Sequence, residues 1–353
     1  MKKLNILMTG AGAPGASGIL KSYKNNKERD VWILGVDVKK LVPTISFLDR
    51  FETVPSAASD NFISTVLEIA KKNRIDVIQP LVTRELELFS RNISLFNDNG
   101  IRVCVSPIEN LQIANDKGLL LDSLRSNHIE IPEYYKVQNF EEFVDACSRL
   151  HYPAEIVCFK PTKANGSRGF RIIDSKVDKV KILFEMKPNN VYMTYEEACE
   201  ILRANNFPEL LVMEYLPGEE YSVDMLLEHG KTIYAIPRIR NIMTGGISTD
   251  CSVIEEKDVI DYSVSVAEKL NLHGNIGIQV KRDINGKVKI LEINPRVQGS
   301  IVCCSAAGIN LPYFGIKLAL DEEIPILPIK WGTRMIRSWN ETYYDNDGRP
   351  YSY

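Results

Sequence analysis

Histidine is scarce and cysteine follows no pattern. The 353-residue chain has four histidines, at 128, 151, 229 and 273, too dispersed for a zinc site. Its seven cysteines are an odd number and form no C-x-x-C. Free thiols in a reducing, cytoplasmic compartment are expected, with no disulfide framework. Charge of one sign is also missing. Lys plus Arg is 43 and Asp plus Glu is 46, a net charge of −3, so no bulk field draws the chain to nucleic acid or acidic lipid. Long apolar runs are absent as well. Residues 4–8 form a run of five that contains Asn5, where a secretory segment needs about 7–15. The longest uncharged stretch, 297–316, contains Gln298, Asn310 and Pro312 and reads as buried helix and turn, with no membrane span expected. Hydrophobic residues at 44% and charged residues at 25% are ordinary for a globular chain. Its length suits two or three domains.

The first 110 or so residues alternate strand and helix patterns. Strands are expected at 4–8, 31–37, 76–80 and 101–105, and helices near 15–23, after an Asp60 N-cap, and over 84–97. Such alternation implies a parallel sheet with helices on both faces. From about residue 115 the pattern changes to hairpin strands broken by a few helices, with N-cap signatures at Asn139–Glu142 and Thr194–Glu197. This is an α+β arrangement.

Gly10-Ala11-Gly12-Ala13-Pro14-Gly15 fits G-x-G-x-x-G between a strand and a helix, and Asp37 ends the next strand. That context suits a dinucleotide, so an NAD-dependent oxidoreductase is one reading. A plain tight turn in a parallel-sheet domain is another.

The strongest signal lies in 277–296. Asn285-Gly286 is a preferred two-residue hairpin turn. If it closes the hairpin, Gln279 stands opposite Glu292, and Asn294 shares their face beside Gly277. Ile278, Val280, Leu291 and Ile293 then point to a core. One carboxylate with two amide oxygens suits magnesium, which also takes phosphate oxygens and water. Arg296 follows, where a transferred phosphoryl group would need a cation. A solvent-facing hairpin would show the same alternation.

Upstream, Lys160 ends an apolar strand, and the small basic loop Lys163-Ala164-Asn165-Gly166-Ser167-Arg168-Gly169 follows. Backbone amides of such a loop, with a lysine, can cradle phosphates. Met213-Glu214-Tyr215-Leu216-Pro217-Gly218 is an apolar strand running into a turn, with Glu220 beyond. Arg238 and Arg240 lie two apart on one strand, near Ser248 and Thr249. Two parallel guanidinium groups there could hold a carboxylate; a solvated strand face is the plain alternative.

The order of these parts resembles the ATP-grasp superfamily, and in particular short proteins similar to one half of the carbamoyl-phosphate synthase large chain. The resemblance covers roughly residues 1–320. It rests on Lys117 in Asn115-Asp116-Lys117, Lys160 in Phe159-Lys160-Pro161, the loop 163–170, the linker 213–218, Glu220, and Gln279 with Glu292-Ile293-Asn294-Pro295-Arg296. It implies a Rossmann-like parallel-sheet domain over 1–112, a two-subdomain ATP-grasp fold over 113–325 with its break near 213–218, and a C-terminal extension over 326–353. It further implies that Lys117, Lys160 and Lys163 serve the ATP phosphates and that Gly166, Ser167 and Gly169 form a lid. Met213, Glu214, Tyr215 and Leu216 would line the adenine, and Glu220 would bind ribose. Gln279, Glu292 and Asn294 would hold Mg2+, or Mn2+ in its place. Lys160 and Arg296, with Arg238 and Arg240, are the implied catalytic groups. Gly12, Arg238, Arg240, Ser248 and Arg296 would meet the acceptor. The implied function is an ATP-dependent ligase that joins a small-molecule carboxylate to an amine through an acyl phosphate, with a homodimer allowed. A carbamoyl-phosphate synthase-like kinase half, the NAD-dependent oxidoreductase and a non-catalytic nucleotide sensor stay open. The segment 180–210 reads as an added helix, and the last thirty residues carry no motif.

Overall fold

The structure, a computed structural model, describes residues 3–164, 166, 168–186, 191–244 and 247–351. The chain divides into two compact units. One comprises 1–114, 220–280 and 292–353; the other comprises 115–219 and 281–291.

The chain opens with β1 (Leu4–Thr9), α1 (Ala16–Lys24), β2 (Val31–Asp37), β3 (Arg50–Thr53), α2 (Phe62–Lys72), β4 (Val77–Gln79), α3 (Thr83–Arg91), α4 (Ile93–Asp98), β5 (Arg102–Val103) and α5 (Ile108–Asn115). The five strands form a parallel sheet in the order β3-β2-β1-β4-β5. Strand order reverses beside β1, so the loops after β1 and β4 flank a topological switch point, the usual ligand position in open α/β sheets. The helix expected over 84–97 is broken at Asn92 into α3 and α4. The helix expected to be capped by Asp60 has Asn61 at its N-cap instead, and neither side chain closes it.

Next come α6 (Lys117–Ser126), β6 (Tyr134–Val137), α7 (Phe140–Arg149), β7 (Val157–Pro161), β8 (Arg171–Ile173), α8 (Lys179–Glu185), β9 (Tyr192–Met193), α9 (Tyr195–Ala204) and β10 (Leu210–Glu214). Their sheet runs β6-β10-β7-β8-β9, with β10 antiparallel to both β6 and β7. Its core gathers Phe143, Cys147, Val157, Phe159, Ile173, Leu202 and Val212. The two N-cap signatures hold. Asn139 accepts from the Glu142 N–H at 2.9 Å, and Thr194 and Glu197 form a full capping box. Segment 180–210 carries two helices, α8 and α9, where one was expected.

The remainder is β11 (Glu220–Glu228), β12 (Lys231–Thr244), β13 (Ile247–Val253), α10 (Lys257–Lys269), β14 (Gly274–Arg282), β15 (Val288–Asn294), α11 (Val302–Ala306), α12 (Leu311–Ala319), β16 (Arg334–Ile336) and a separate antiparallel pair, β17 (Tyr343–Tyr344) and β18 (Pro350–Tyr351). The sheet order is β15-β14-β11-β12-β13-β16. The uncharged stretch 297–316 forms turn, α11 and most of α12, which are largely buried. Within the larger unit, one core joins the parallel sheet to this second sheet. Ile6, Met8 and Ile33 share it with Ile236, Val253, Cys303 and Phe314.

The β14–β15 turn departs from the expected one. The Asp283 N–H donates to the Lys287 carbonyl at 2.9 Å, and the Gly286 N–H to the Asp283 carbonyl at 3.1 Å. The loop therefore has three residues, 284–286, with Gly286 at φ 80°, a bulged turn in place of the two-residue one. This shifts the pairing by one residue. In β15 the buried positions are Val288, Ile290 and then Ile293, a step of three that breaks the alternation and absorbs the shift. Leu291 is thereby half-buried where a core position was expected, while Glu292 and Asn294 still flank the buried Ile293.

Gly15 sits at φ +92°, and a Cβ there would lie 2.5 Å from the Gly299 carbonyl oxygen. Strain and clash act together, so Gly15→Ala should lower unfolding stability by about 2 kcal/mol or more, read by urea denaturation. A variant as stable as the parent would show that this approach is not rigid.

Candidate functional site

In the smaller unit, Asp116 caps α6 by accepting the N–H groups of Gly118 at 2.9 Å and Leu119 at 3.1 Å. This fixes Lys117, which is buried. Its Nζ donates to the Ala164 carbonyl at 2.6 Å, so this lysine anchors the start of the basic loop. Lys163 is exposed and lies 3.4 Å from Asp116. Gly166 and Gly169 both have positive φ, and a Cβ at Gly169 would lie 2.6 Å from Pro161 Cδ. Ser167 lies outside the described residues. Lys160 reaches the Leu291 carbonyl with Nζ at 3.0 Å.

The linker after β10 is held by the β14–β15 hairpin. The Gly218 N–H donates to the Arg282 carbonyl at 3.0 Å. Lys281 Nζ stands 4.9 Å from the Tyr215 ring centre, a cation–π contact. Met213 and Leu216 are buried. The Glu214 carboxylate accepts from Lys289 Nζ at 2.6 Å and from the Glu133 N–H at 2.9 Å, so it ties the linker down. Lys289 also lies 3.3 Å from Asp283. Burial opposes its charge, but these carboxylates hold its pKa above the usual lysine value.

In the larger unit, two polar chains stand on the strands of the second sheet. In the first, Arg240 pairs with the Glu220 carboxylate and donates to Gln279 Oε1 at 3.2 Å. In the second, Asn294 Nδ2 donates to Glu292 Oε1 at 3.2 Å, and Arg296 Nη2 donates to Asn294 Oδ1 at 3.3 Å. Arg296 Nε continues to Thr83 Oγ1 at 3.1 Å, at the start of α3. Burial lowers the Arg296 pKa and the nearby Glu292 opposes the shift. Among the described residues, no three His, Cys, Asp or Glu side chains gather as a metal cluster. The expected set instead offers one carboxylate and two amide oxygens. Each amide oxygen accepts from a guanidinium, and this composition fits a magnesium that takes most of its oxygens from phosphate and water.

Two expected acceptor groups are misplaced. Arg238 is fully buried, with Nε 2.5 Å from Asp224 Oδ2 and Nη1 3.7 Å from Cys251 Sγ. Its charge is neutralised inside the core, so it does not face a substrate, and Arg240 stands without it. Ser248 is buried as well, and its hydroxyl donates to Met243 Sδ at 3.3 Å. The glycine loop is held by its own neighbours. Gly12 N–H donates to Asp37 Oδ2 at 2.8 Å, and Lys39 N–H to Asp37 Oδ1 at 2.9 Å. Both oxygens of the carboxylate that a dinucleotide ribose would use are engaged by backbone.

Sequence reasoning missed Glu85, on the first turn of α3. It is buried and accepts from the Thr9 hydroxyl at the end of β1. Burial pushes its pKa up to about 7, the Thr9 bond opposes this, and Asp37 adds to it. Arg337, which follows a strand in the segment without motifs, donates from Nη2 to the Gly299 carbonyl and from Nε to the Ser248 carbonyl at 3.1 Å.

The matches to known proteins agree with this layout. Residues 206–339 match the family described as ATP-grasp in the biosynthetic pathway with Ter operon. Residues 6–104 match the PylC-like N-terminal domain. The chain is similar to ATP-grasp proteins over the first of these segments. Among curated relatives, the carbamoyl phosphate synthase large chain of Methanobrevibacter smithii is 23% identical over 270 residues, which is 72% of this chain and 24% of that one. The chain thus spans about a quarter of that relative. A biotin carboxylase from Campylobacter jejuni, in complex with β,γ-ATP, superposes with TM-score 0.67 at 16% identity, covering 91% of this chain and 72% of that one. An N5-carboxyaminoimidazole ribonucleotide synthetase in an ADP complex gives 0.65 at 17%, covering 95% and 79%. An L-amino acid ligase from Bacillus licheniformis gives 0.62 at 13%, covering 91% and 74%. These likenesses show the fold: a Rossmann-like parallel-sheet domain followed by a two-subdomain ATP-grasp fold.

Two measurements test the local electrostatics. Glu85 has a folded pKa near 7 against an ordinary 4.5, so the folded state binds the extra proton between these values. Stability should therefore fall as pH rises from about 4.5 to 7, by up to roughly 3 kcal/mol. Glu85→Gln should flatten that slope in denaturation curves; an unchanged slope would remove Glu85 as its source. Arg238→Ala strands the buried Asp224 and should cost about 3–5 kcal/mol. Loss of activity without loss of stability would instead return Arg238 to a functional role.

Proposed function

We propose that the chain is an ATP-dependent carboxylate–amine ligase working through an acyl phosphate. The observation that carries this reading is the run Glu292–Asn294–Arg296, where carboxylate, amide and guanidinium are hydrogen-bonded in series at the end of β15. Such a run can meet a phosphoryl group with fixed partners, which is where preorganised charge lowers a barrier most.

In this reading an oxygen of the acceptor carboxylate attacks the γ-phosphorus of ATP, and ADP leaves. The amine then attacks the acyl carbon, and phosphate leaves with the carboxylate's former oxygen. Arg296 stabilises charge on the phosphoryl oxygens. Lys117 and Lys160 contact the phosphates, and the basic loop containing Gly166 and Gly169 covers them. Met213, Tyr215 and Leu216 face the adenine. Glu220, through its pair with Arg240, holds that guanidinium near Gln279, which favours Arg240 as a phosphate contact. Gln279, Glu292 and Asn294 would hold Mg2+, which when bound offsets the charge of the phosphates.

With magnesium, the wild-type chain should release ADP when given the right carboxylate and amine. Glu292→Ala should abolish that turnover while the fold and its melting temperature hold. Parental turnover in the variant would sink the metal assignment. ATP failing to bind in calorimetry, with NADH binding in its place, would sink the whole reading.

A further inference from the structure

We infer that the C-terminal hairpin β17–β18 is a strap across one side of the parallel sheet's switch point, latched by Tyr344, and that it opens together with the loop after β2 and the glycine loop after β1. The inference concerns the larger unit alone and does not depend on the ligase reading.

The hairpin has no core of its own. None of the residues 341–351 is buried. Two short pairs, Tyr343 with Tyr351 and Tyr344 with Pro350, join its strands, and the Tyr343 and Tyr351 rings lie 5.9 Å apart. Its turn is closed by Asp345, which accepts the N–H groups of Asp347 at 3.0 Å and Arg349 at 2.8 Å. A two-stranded hairpin of this kind is at best marginal in water, so its order depends on what it docks against.

It docks on the loop that follows β2. The Val42 N–H donates to the Tyr344 hydroxyl at 3.2 Å, and that hydroxyl donates to the Val42 carbonyl at 2.6 Å. One phenol thus serves both backbone groups of a single loop residue, which would otherwise need partners of their own. Thr342 Oγ1 donates to the Pro43 carbonyl at 2.8 Å. At the tip, a Cβ on Gly348 would lie 3.4 Å from Leu41 Cδ2. Val42 is buried in a loop whose neighbours Val38 and Leu41 are exposed, so the hairpin holds down the one apolar side chain that turns inward.

That side chain leads to the glycine loop. A Cβ on Gly12 would lie 3.1 Å from Val42 Cγ1. The buried Thr44 hydroxyl donates to the Ala11 carbonyl at 2.6 Å. Asp37, at the start of the same loop, accepts the Gly12 N–H at 2.8 Å. Hairpin, loop and glycine loop therefore form one continuous chain of contacts, with the weakest-packed element at its outer end. Cooperative opening units are drawn from such low-density segments. The crevice they flank is where ligands of open α/β sheets usually sit, so lifting the strap opens one wall of it.

The test is hydrogen exchange on the full chain without nucleotide, read at single amides. Tyr344→Phe keeps the ring and removes the latch. It should speed exchange at Val42 and at Gly12 by a similar factor, roughly 5- to 30-fold, while Ile6 in β1 exchanges as in the parent. Joint acceleration at Val42 and Gly12 supports the inference, because the Gly12 amide bonds to Asp37 and not to Tyr344. Acceleration at Val42 alone overturns it, since Tyr344 would then only satisfy that one residue. Unchanged exchange at both sites overturns it too. Equal acceleration at Ile6 also overturns it, because the hairpin would then open only with the whole unit. Should Tyr344→Phe not fold, Thr342→Val, which removes the bond to Pro43, is judged by the same criteria.

Discussion

The close approach of two glycines orders one end of the larger unit. Gly15 can sit at φ +92° against the carbonyl of Gly299 only because neither residue carries a Cβ. That contact brings the turn after β15 onto the first glycine loop. From it follow the reach of Arg296 to Thr83 and the position of the carbonyl that Arg337 holds. The glycine loop thus works as a packing surface for another stretch of backbone. This explains why a G-x-G-x-x-G run can end a strand with both oxygens of its partner Asp37 engaged by backbone N–H groups.

The buried Arg238–Asp224 pair has the opposite character. Neither side chain is exposed, and two of their polar atoms, Arg238 Nη2 and Asp224 Oδ1, lack hydrogen-bond partners among the described residues. Cys251 and Cys304 fill the space around them. Such a pair adds little net stability over apolar packing, yet breaking it is expensive. Its effect is to fix β11 against β12, where Ser222 pairs with Arg238. Two residues further along β12, Arg240 then emerges beside Glu220 and Gln279. A neutralised core arginine and a partly accessible one therefore share a strand side, two positions apart.

That spacing shows what the sequence could and could not tell. Strand–helix alternation made the parallel sheet legible, because short apolar runs and glycine punctuation report backbone period directly. The caps at Asn139 and Thr194 were legible for the same local reason. Depth was not legible. Arg238 and Arg240 have the same spacing signal, and only the Asp224 carboxylate from a neighbouring strand decides which one is buried. The hairpin turn failed on a local competition. Asp283 accepts the N–H groups of Asn285 and Lys287 at 2.8 and 2.9 Å, and this favours a three-residue loop over the two-residue one that Asn-Gly suggests. The expected face of Glu292 and Asn294 survived because the alternation slips by one residue before Ile293.

Arg337 extends the same lesson to the chain end. A segment without motif offers no spacing to read, so its contribution depends on where β16 leaves it. Pairing of β16 with β13 places Cys251 opposite Met335 and Asp250 opposite Ile336. The next residue, Arg337, continues from Thr249 and so arrives at Ser248 and Gly299. Arg334, three residues earlier, is neutralised by Asp250, whereas no carboxylate among the described residues neutralises Arg337. Strand register alone thus sorts two arginines of one short segment into a structural tie and an unneutralised cation beside the switch point of the parallel sheet.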